Sequence, residues 1–211
     1  AFLKNFSTVL EADSKIAEQS IYDLADAEFN IASPKQLGEI LFTKLKLDDK
    51  AKKTKTGQYA TGEEVLSKLA PKHEIASKIL EFREINKLKS TYVDALPELI
   101  SPKDTFIHTS FNQTIAATGR LSSVNPNLQN IPIRTERGRT IRKAFVPRKK
   151  GNIILSADYS QVELRVMAHF SEDETMMNAF QNGEDIHTST AAKIFHVDVK
   201  DVDADMRRKA K

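Results

Sequence analysis

"IILSADYSQVELRVMAHF" occupies residues 153–170. Three aliphatic residues lead to a single acid, Asp158, and a helical pattern begins almost at once. A short apolar run bounded by polar residues predicts a buried strand over "NIILSADY" (152–159), with helix from Gln161 onward. A strand that ends on a carboxylate has two readings. Either Asp158 is solvated in a turn, or a rigid element is delivering it to a cation. Hard cations such as Mg²⁺ take carboxylate oxygens and complete their shell with waters or substrate phosphates. One acid, however, is only half of a two-ion site. Just downstream, Ser160 and Glu163 have the S-x-x-E spacing of a capping box, so spacing alone assigns Glu163 to the helix start.

Upstream, "TGRLSSVNPNLQNIP" (118–132) carries too many polar and turn-forming residues for a core element. Arg120, Asn127, Gln129 and Asn130 are donors able to reach into a groove. Minor-groove edges present acceptors at similar places in every base pair, so donors there sense pair shape without reading sequence. An ordinary polar loop accounts for the same residue types. Before it, "DTFIHTSFNQTI" (104–115) is β-prone and alternating.

Residues 1–104 read as almost entirely helical. Phe2, Phe6, Val9, Ile16, Ile21, Leu24 and Phe29 recur near a 3.6-residue period, with no interior Gly or Pro. "SPKQLGEILFTKL" opens with Ser33 as a cap and Pro34 at the first helical position. A Lys-rich loop (48–62) follows, then "TGEEVLSKLA" and a long helical stretch from His73 to Leu99. This predicts two long antiparallel helices with smaller helices and a basic loop at one end.

Composition narrows the function. Of 211 residues, 40% are hydrophobic and 29% charged, which suits one large or two small soluble domains. No apolar run approaches the ~20 residues that span a bilayer, and acids interrupt the N-terminal stretch where a signal peptide would be apolar. The absence of cysteine excludes disulfides, thiolate zinc sites and cysteine nucleophiles, and suits a reducing cytoplasm. Net charge is only +3, but the cations cluster in 44–59, in "RTERGRTIRKAFVPRKK" (134–150) and in "MRRKAK" (206–211). Separated basic patches suit a polyanion touched at several places, although solvated faces have the same composition.

Further along, "GEDIHTSTAAKIFH" (183–196) places His187 after two acids, either as half of a metal pair or as a structural histidine at a helix start. Arg207 and Lys211 are four apart, hence adjacent on one helical face. Like charges so placed cost a few tenths of a kcal/mol in isolation. A bound triphosphate would reverse that sign, and a solvated basic helix is the plainer reading.

In this order, "TGRLSSVNPNLQNIPIRTERGRTIRKAF" (118–145), "SADYSQVELRVMAH" (156–169), "GEDIHTSTA" (183–191) and "MRRKAK" resemble the family A DNA polymerases of the bacterial DNA polymerase I type. The helical first half is similar to that family's thumb, so the resemblance covers essentially the whole chain. It implies an α+β fold with a helical thumb (1–104), a partial antiparallel palm sheet carrying the aspartate motif (105–170) and the start of the fingers (171–211). It implies that Asp158 is the catalytic aspartate binding both Mg²⁺ ions, with the Tyr159 carbonyl beside it. Glu163 would exclude a 2′-hydroxyl beside the incoming sugar, which overrides the capping assignment, and Gln161 would lie near the nucleotide. His187, Arg207 and Lys211 would grip the nucleotide's phosphates. Arg120, Asn127 and Gln129 would contact primer–template DNA, and Lys52, Lys53 and Lys55 its phosphates.

The resemblance also has departures. In that family the Arg–Lys helix continues to a Tyr-Gly, and a later His-Asp strand supplies the second metal-binding acid; this chain ends at Lys211. The exonuclease region and first palm segment are absent as well. The chain therefore reads as a fragment, inactive in isolation, of a monomeric cytoplasmic polymerase that uses deoxynucleoside triphosphates and touches no membrane. A non-catalytic nucleic-acid-binding module is the competing reading, against which both Asp158 and Glu163 count. A divergent metal-dependent nuclease or phosphatase would carry further His and Asp ligands near Asp158.

Overall fold

The computed structural model describes residues 1–133 and 135–210. It divides into two units, Ala1–Arg148 and Lys149–Lys211, each with its own packing.

The first unit is built on two long helices, α1 (Phe2–Ala25) and α4 (Glu74–Leu88). They run antiparallel: the Ser7 hydroxyl lies 2.6 Å from Asp94 just beyond α4, while Asn86 donates to Ser14 at 3.0 Å. The seam that α1 buries is Leu10, Ala17, Ile21 and Ala25. The sequence pattern places Val9, Ile16 and Leu24 on that face, yet these are exposed, Ile16 by 67%. Each precedes a seam residue by one position, a rotation of about 100° on a helix of 3.6 residues per turn. Small Ala17 and Ala25 take the contact positions instead and let α4 approach. Asp26 ends α1 in the left-handed region (φ 46), so Phe29 lies beyond the helix and meets Tyr22 edge-on at 5.8 Å.

Ser33 caps α2 (Pro34–Gly38) as expected, its side chain accepting from the Gln36 amide. The chain continues through a π-helical turn (Glu39–Lys44) to the basic loop, then α3 (Glu63–Leu69). After α4, a second π turn (Lys89–Val93) leads into α5 (Ala95–Glu98). Two apolar clusters result. One joins Ile21, Leu37, Leu41, Leu66 and Ile79; the other joins Leu10, Ile85, Leu88, Val93, Leu96 and Ile141. Each fully buried Leu or Ile contributes roughly 1.5–3 kcal/mol.

Strands β1 (Ser110–Asn112) and β2 (Ser122–Val124) pair antiparallel with Phe111 opposite Ser123. Helix α6 (Glu136–Ile141) follows, capped by Thr135. Arg137 on α6 reaches Asp13 of α1 and Glu81 of α4, both at 3.1 Å, pinning α6 to the helix pair.

The second unit corrects the expectation of a strand before Asp158. Residues 152–159 form no strand, and Ile153 and Leu155 are 85% and 86% exposed. A strand exists only as a member of a ladder that pairs its backbone groups. Among the described residues nothing pairs with this segment. Helix α7 (Val162–Ser171) begins with Gln161, in the left-handed region, at the N-cap position rather than Ser160. It is followed by α8 (Glu174–Gln181), α9 (Ile186–Phe195) and α10 (Ala204–Ala210). Small residues form the buried part, Ala168, Ala191 and Ala192, while the Arg165 guanidinium covers the Phe180 ring at 4.5 Å. The fold is α+β, helical with a small antiparallel sheet. Among the described residues no helix is long and apolar enough to cross a membrane.

Candidate functional site

In the first unit the basic loop is a built element. Ala60 donates to the Lys52 carbonyl at 2.9 Å and Thr54 to the Gln58 carbonyl at 2.7 Å, closing a tight turn around Gly57. That turn requires φ of +79° at Gly57, a conformation glycine adopts without a steric penalty. Tyr59 anchors the loop against Phe42, with ring centroids 5.1 Å apart, and the Lys53 ammonium sits 4.9 Å from the Tyr59 ring. Lys50, Lys52, Lys53 and Lys55 are all exposed. The result is a cluster of like charges held on a rigid apolar footing.

The polar loop after β1 is organised around the fully buried Ser123. Its hydroxyl lies 2.7 Å from Thr109 Oγ1 and 3.1 Å from the Pro126 carbonyl, and accepts from the Leu128 amide at 3.0 Å. Gln129 is part of this scaffold. Its Oε1 accepts from the Ser123 amide and its Nε2 donates to the Leu121 carbonyl, each at 3.0 Å. Asn127 Oδ1 accepts from the Gln129 amide at 3.0 Å. Arg120, Asn127 and Gln129 are exposed at the loop surface. Gln129 therefore shapes the loop with both ends of its amide, leaving one Nε2 hydrogen for an outside acceptor.

In the second unit Asp158 and Tyr159 lie in the exposed, irregular segment 152–159, Tyr159 by 82%. Glu163 occupies the first turn of α7 and is exposed. The Gln161 Oε1 atom is buried and has no hydrogen-bond partner. Among the described residues no three His, Cys, Asp or Glu side chains converge so as to hold a metal ion. Asp158 offers the hard oxygen that Mg²⁺ prefers, but a single carboxylate does not hold two divalent ions. Among the described residues, this segment offers a carboxylate but no assembled metal site.

His187 lies in the first turn of α9, two residues after the cap residue Asp185. Asp185 Oδ1 accepts from the Thr188 amide at 2.9 Å, while Oδ2 takes Arg207 Nη2 at 2.7 Å and Nε at 3.3 Å. Burial pushes the Asp185 carboxyl upward, but the Arg207 hydrogen bonds, the Thr188 amide and the Arg207 charge outweigh it. The pKa falls to about 2. The structure thus joins two predicted phosphate-binding elements through an acid that the Asp-x-His spacing suggests only as a metal partner of His187. A second local signal is Thr188 three residues on, a helix-cap spacing, and neither signal points to Arg207. In the first turn of α10, Asp205 pairs with Lys209 at 2.8 Å and with Arg208. Lys211, the remaining predicted phosphate ligand, falls outside the described residues.

The whole chain, residues 1–211, matches the model for DNA polymerase family A. It is 54% identical over 209 residues to DNA polymerase I of Geobacillus stearothermophilus, covering 99% of this chain and 24% of that protein. The DNA polymerase I of Bacillus subtilis (strain 168) gives the same identity and coverage. Among solved structures, the POL domain of Pol1 from M. smegmatis, in complex with DNA primer-template and dNTP, superposes with a TM-score of 0.83. That match has 43% identity and covers 99% of this chain and 36% of the other. The chain thus spans about a quarter of the length of the curated relatives it matches.

Proposed function

This chain belongs to DNA polymerase family A, and from that premise we propose that it is the part of a template-directed DNA polymerase that grips duplex, primer terminus and incoming nucleotide. One observation carries the proposal: likeness over 99% of the chain to a polymerase domain solved with primer-template and dNTP. Residues 1–104 act as the thumb, 105–170 as part of the palm and 171–211 as the start of the fingers.

In this reading the exposed lysines of the 52–60 turn lie along duplex phosphates, where cations release counterions without reading sequence. Arg120, Asn127 and the remaining Gln129 donor approach minor-groove acceptors near the primer end, sensing pair shape. His187, Arg207 and Lys211 hold the triphosphate, and Gln161 and Glu163 lie beside its sugar. Asp158 and the Tyr159 carbonyl would be Mg²⁺ ligands. When bound, such ions neutralise charge on the transferring phosphoryl group. With one carboxylate present, the 211 residues alone do not complete that centre, so the isolated chain is inactive.

Primer extension tests both statements. Protein expressed from the whole reading frame should extend a primer with Mg²⁺ and four deoxynucleotides, and Asp158→Ala should abolish extension. The 211-residue chain should bind primer–template yet add nothing. Retained extension by Asp158→Ala would remove that residue from catalysis. Clear extension by scrupulously purified 211-residue chain would overturn the claim of inactivity.

A further inference from the structure

Arg207 and Asp185 are 22 residues apart in sequence and joined in the fold. The acid divides its two oxygens between two helices: Oδ1 takes the Thr188 amide in the first turn of α9, and Oδ2 takes two donors of the α10 arginine. Helices α9 and α10 are packed together around this link. A guanidinium has five N–H donors in a rigid fork. With two directed at Asp185, three remain, and the Arg207 side chain is still 37% exposed.

We infer that Asp185 is a positioning residue for triphosphate binding: it caps the turn that carries His187 and orients the Arg207 guanidinium, so that both cationic elements meet one phosphate chain in a fixed relation. The inference rests on the phosphate-binding role proposed above for His187 and Arg207. Without the tie, Arg207 is a long side chain with many rotamers, and ordering it falls on the binding step. Ordering one such side chain weakens affinity by about 3- to 10-fold. The same contact could instead compete with phosphate for Arg207, which predicts the opposite sign. Two features favour positioning. The Asp185 charge is already shared with the α9 amide, and Arg207 can bind an anion through its free donors without releasing the acid.

The test uses the polymerase expressed from its whole reading frame, with single-nucleotide incorporation measured against deoxynucleotide concentration. Asp185→Ser keeps a capping oxygen but is too short to reach Arg207; Asp185→Ala removes both functions. Asp185→Ser should raise KM about 3- to 10-fold with kcat little changed. Asp185→Ala should raise KM similarly and also lower Tm. In an Arg207→Ala background, Asp185→Ser should add almost nothing. An unchanged KM for Asp185→Ser overturns the proposal, a lowered KM shows competition instead, and an undiminished effect without Arg207 removes the link. If Arg207→Ala itself leaves KM unchanged, the phosphate-binding reading fails and this inference falls with it.

Discussion

Gly38 touches Tyr59 so closely that a Cβ added to the glycine would lie 2.8 Å from the tyrosine Cβ. That approach seats the base of the lysine loop on the end of α2, since Tyr59 also packs against Phe42 and carries Lys53 over its ring. A missing side chain in the helical core thereby positions an exposed cation.

Gly38→Ala should therefore destabilise the first unit although the helix itself favours alanine. Overpacking costs typically about 1–3 kcal/mol, against a helix-propensity gain of about 1 kcal/mol. A net loss on the order of 1 kcal/mol is expected, read as a lower urea midpoint. Equal or greater stability would mean that Tyr59 moves aside without cost.

Replacing Lys52, Lys53 and Lys55 with Ala should weaken binding to unrelated duplexes alike. Each phosphate that is no longer neutralised takes about 0.9 from the slope of log affinity against log salt. Titration at several salt concentrations checks this, with circular dichroism to confirm that the fold is intact. Unchanged affinity and slope would show the loop to be only a solvated surface.

Glu163→Ala, in protein from the whole reading frame, should admit ribonucleotides. The 2′-hydroxyl alone separates the two substrate classes at the sugar, and removing bulk beside it removes a penalty on the wrong one. The exposed first-turn acid also favours the positive end of α7, worth about 0.3–1 kcal/mol. If the variant melts lower but rejects ribonucleotides as strongly as before, Glu163 serves the helix and not the sugar.

Acid should loosen the second unit as the Asp185 pair is titrated. The Asp185 pKa is depressed from 3.8 to about 2, with burial opposing and Arg207 and Thr188 driving the change. A depressed folded pKa gives stability that is present above the unfolded value. That stability disappears as pH falls through the folded one, so the window runs from about 4 to about 2. Helicity followed from about pH 5 to about pH 2 should show this decline, and Asp185→Ser should flatten it. Coincident curves for the two proteins would mean that the pair contributes nothing to folding.

The candidate site is legible in the sequence wherever its chemistry lies in consecutive residues. Asp158, Glu163 and His187 stand out because each sits in a long ordered motif, and the lysine loop announces itself by composition. Gln129 is legible as polar but not as a strut, because its partners Ser123 and Leu121 are chosen by the turn of the loop. Asp185 sits in the same motif as His187 and is legible there as an acid, but its tie to Arg207 is not, since that partner is 22 residues away.

Local signals settled by the sequence itself include the Ser33 cap with Pro34, the long helices α1 and α4, and the turn-rich character of 118–132. These depend on interactions within a few residues, where caps and periodicity act directly. Tertiary structure alone decided that Leu10 and Ala17, rather than Val9 and Ile16, face α4. A helix is apolar on more than one side here, and the partner's surface selects the buried stripe. It also decided that 152–159 forms no strand. Three aliphatic residues supply the burial pattern, but a ladder needs a second backbone, which no run of side chains can encode within itself.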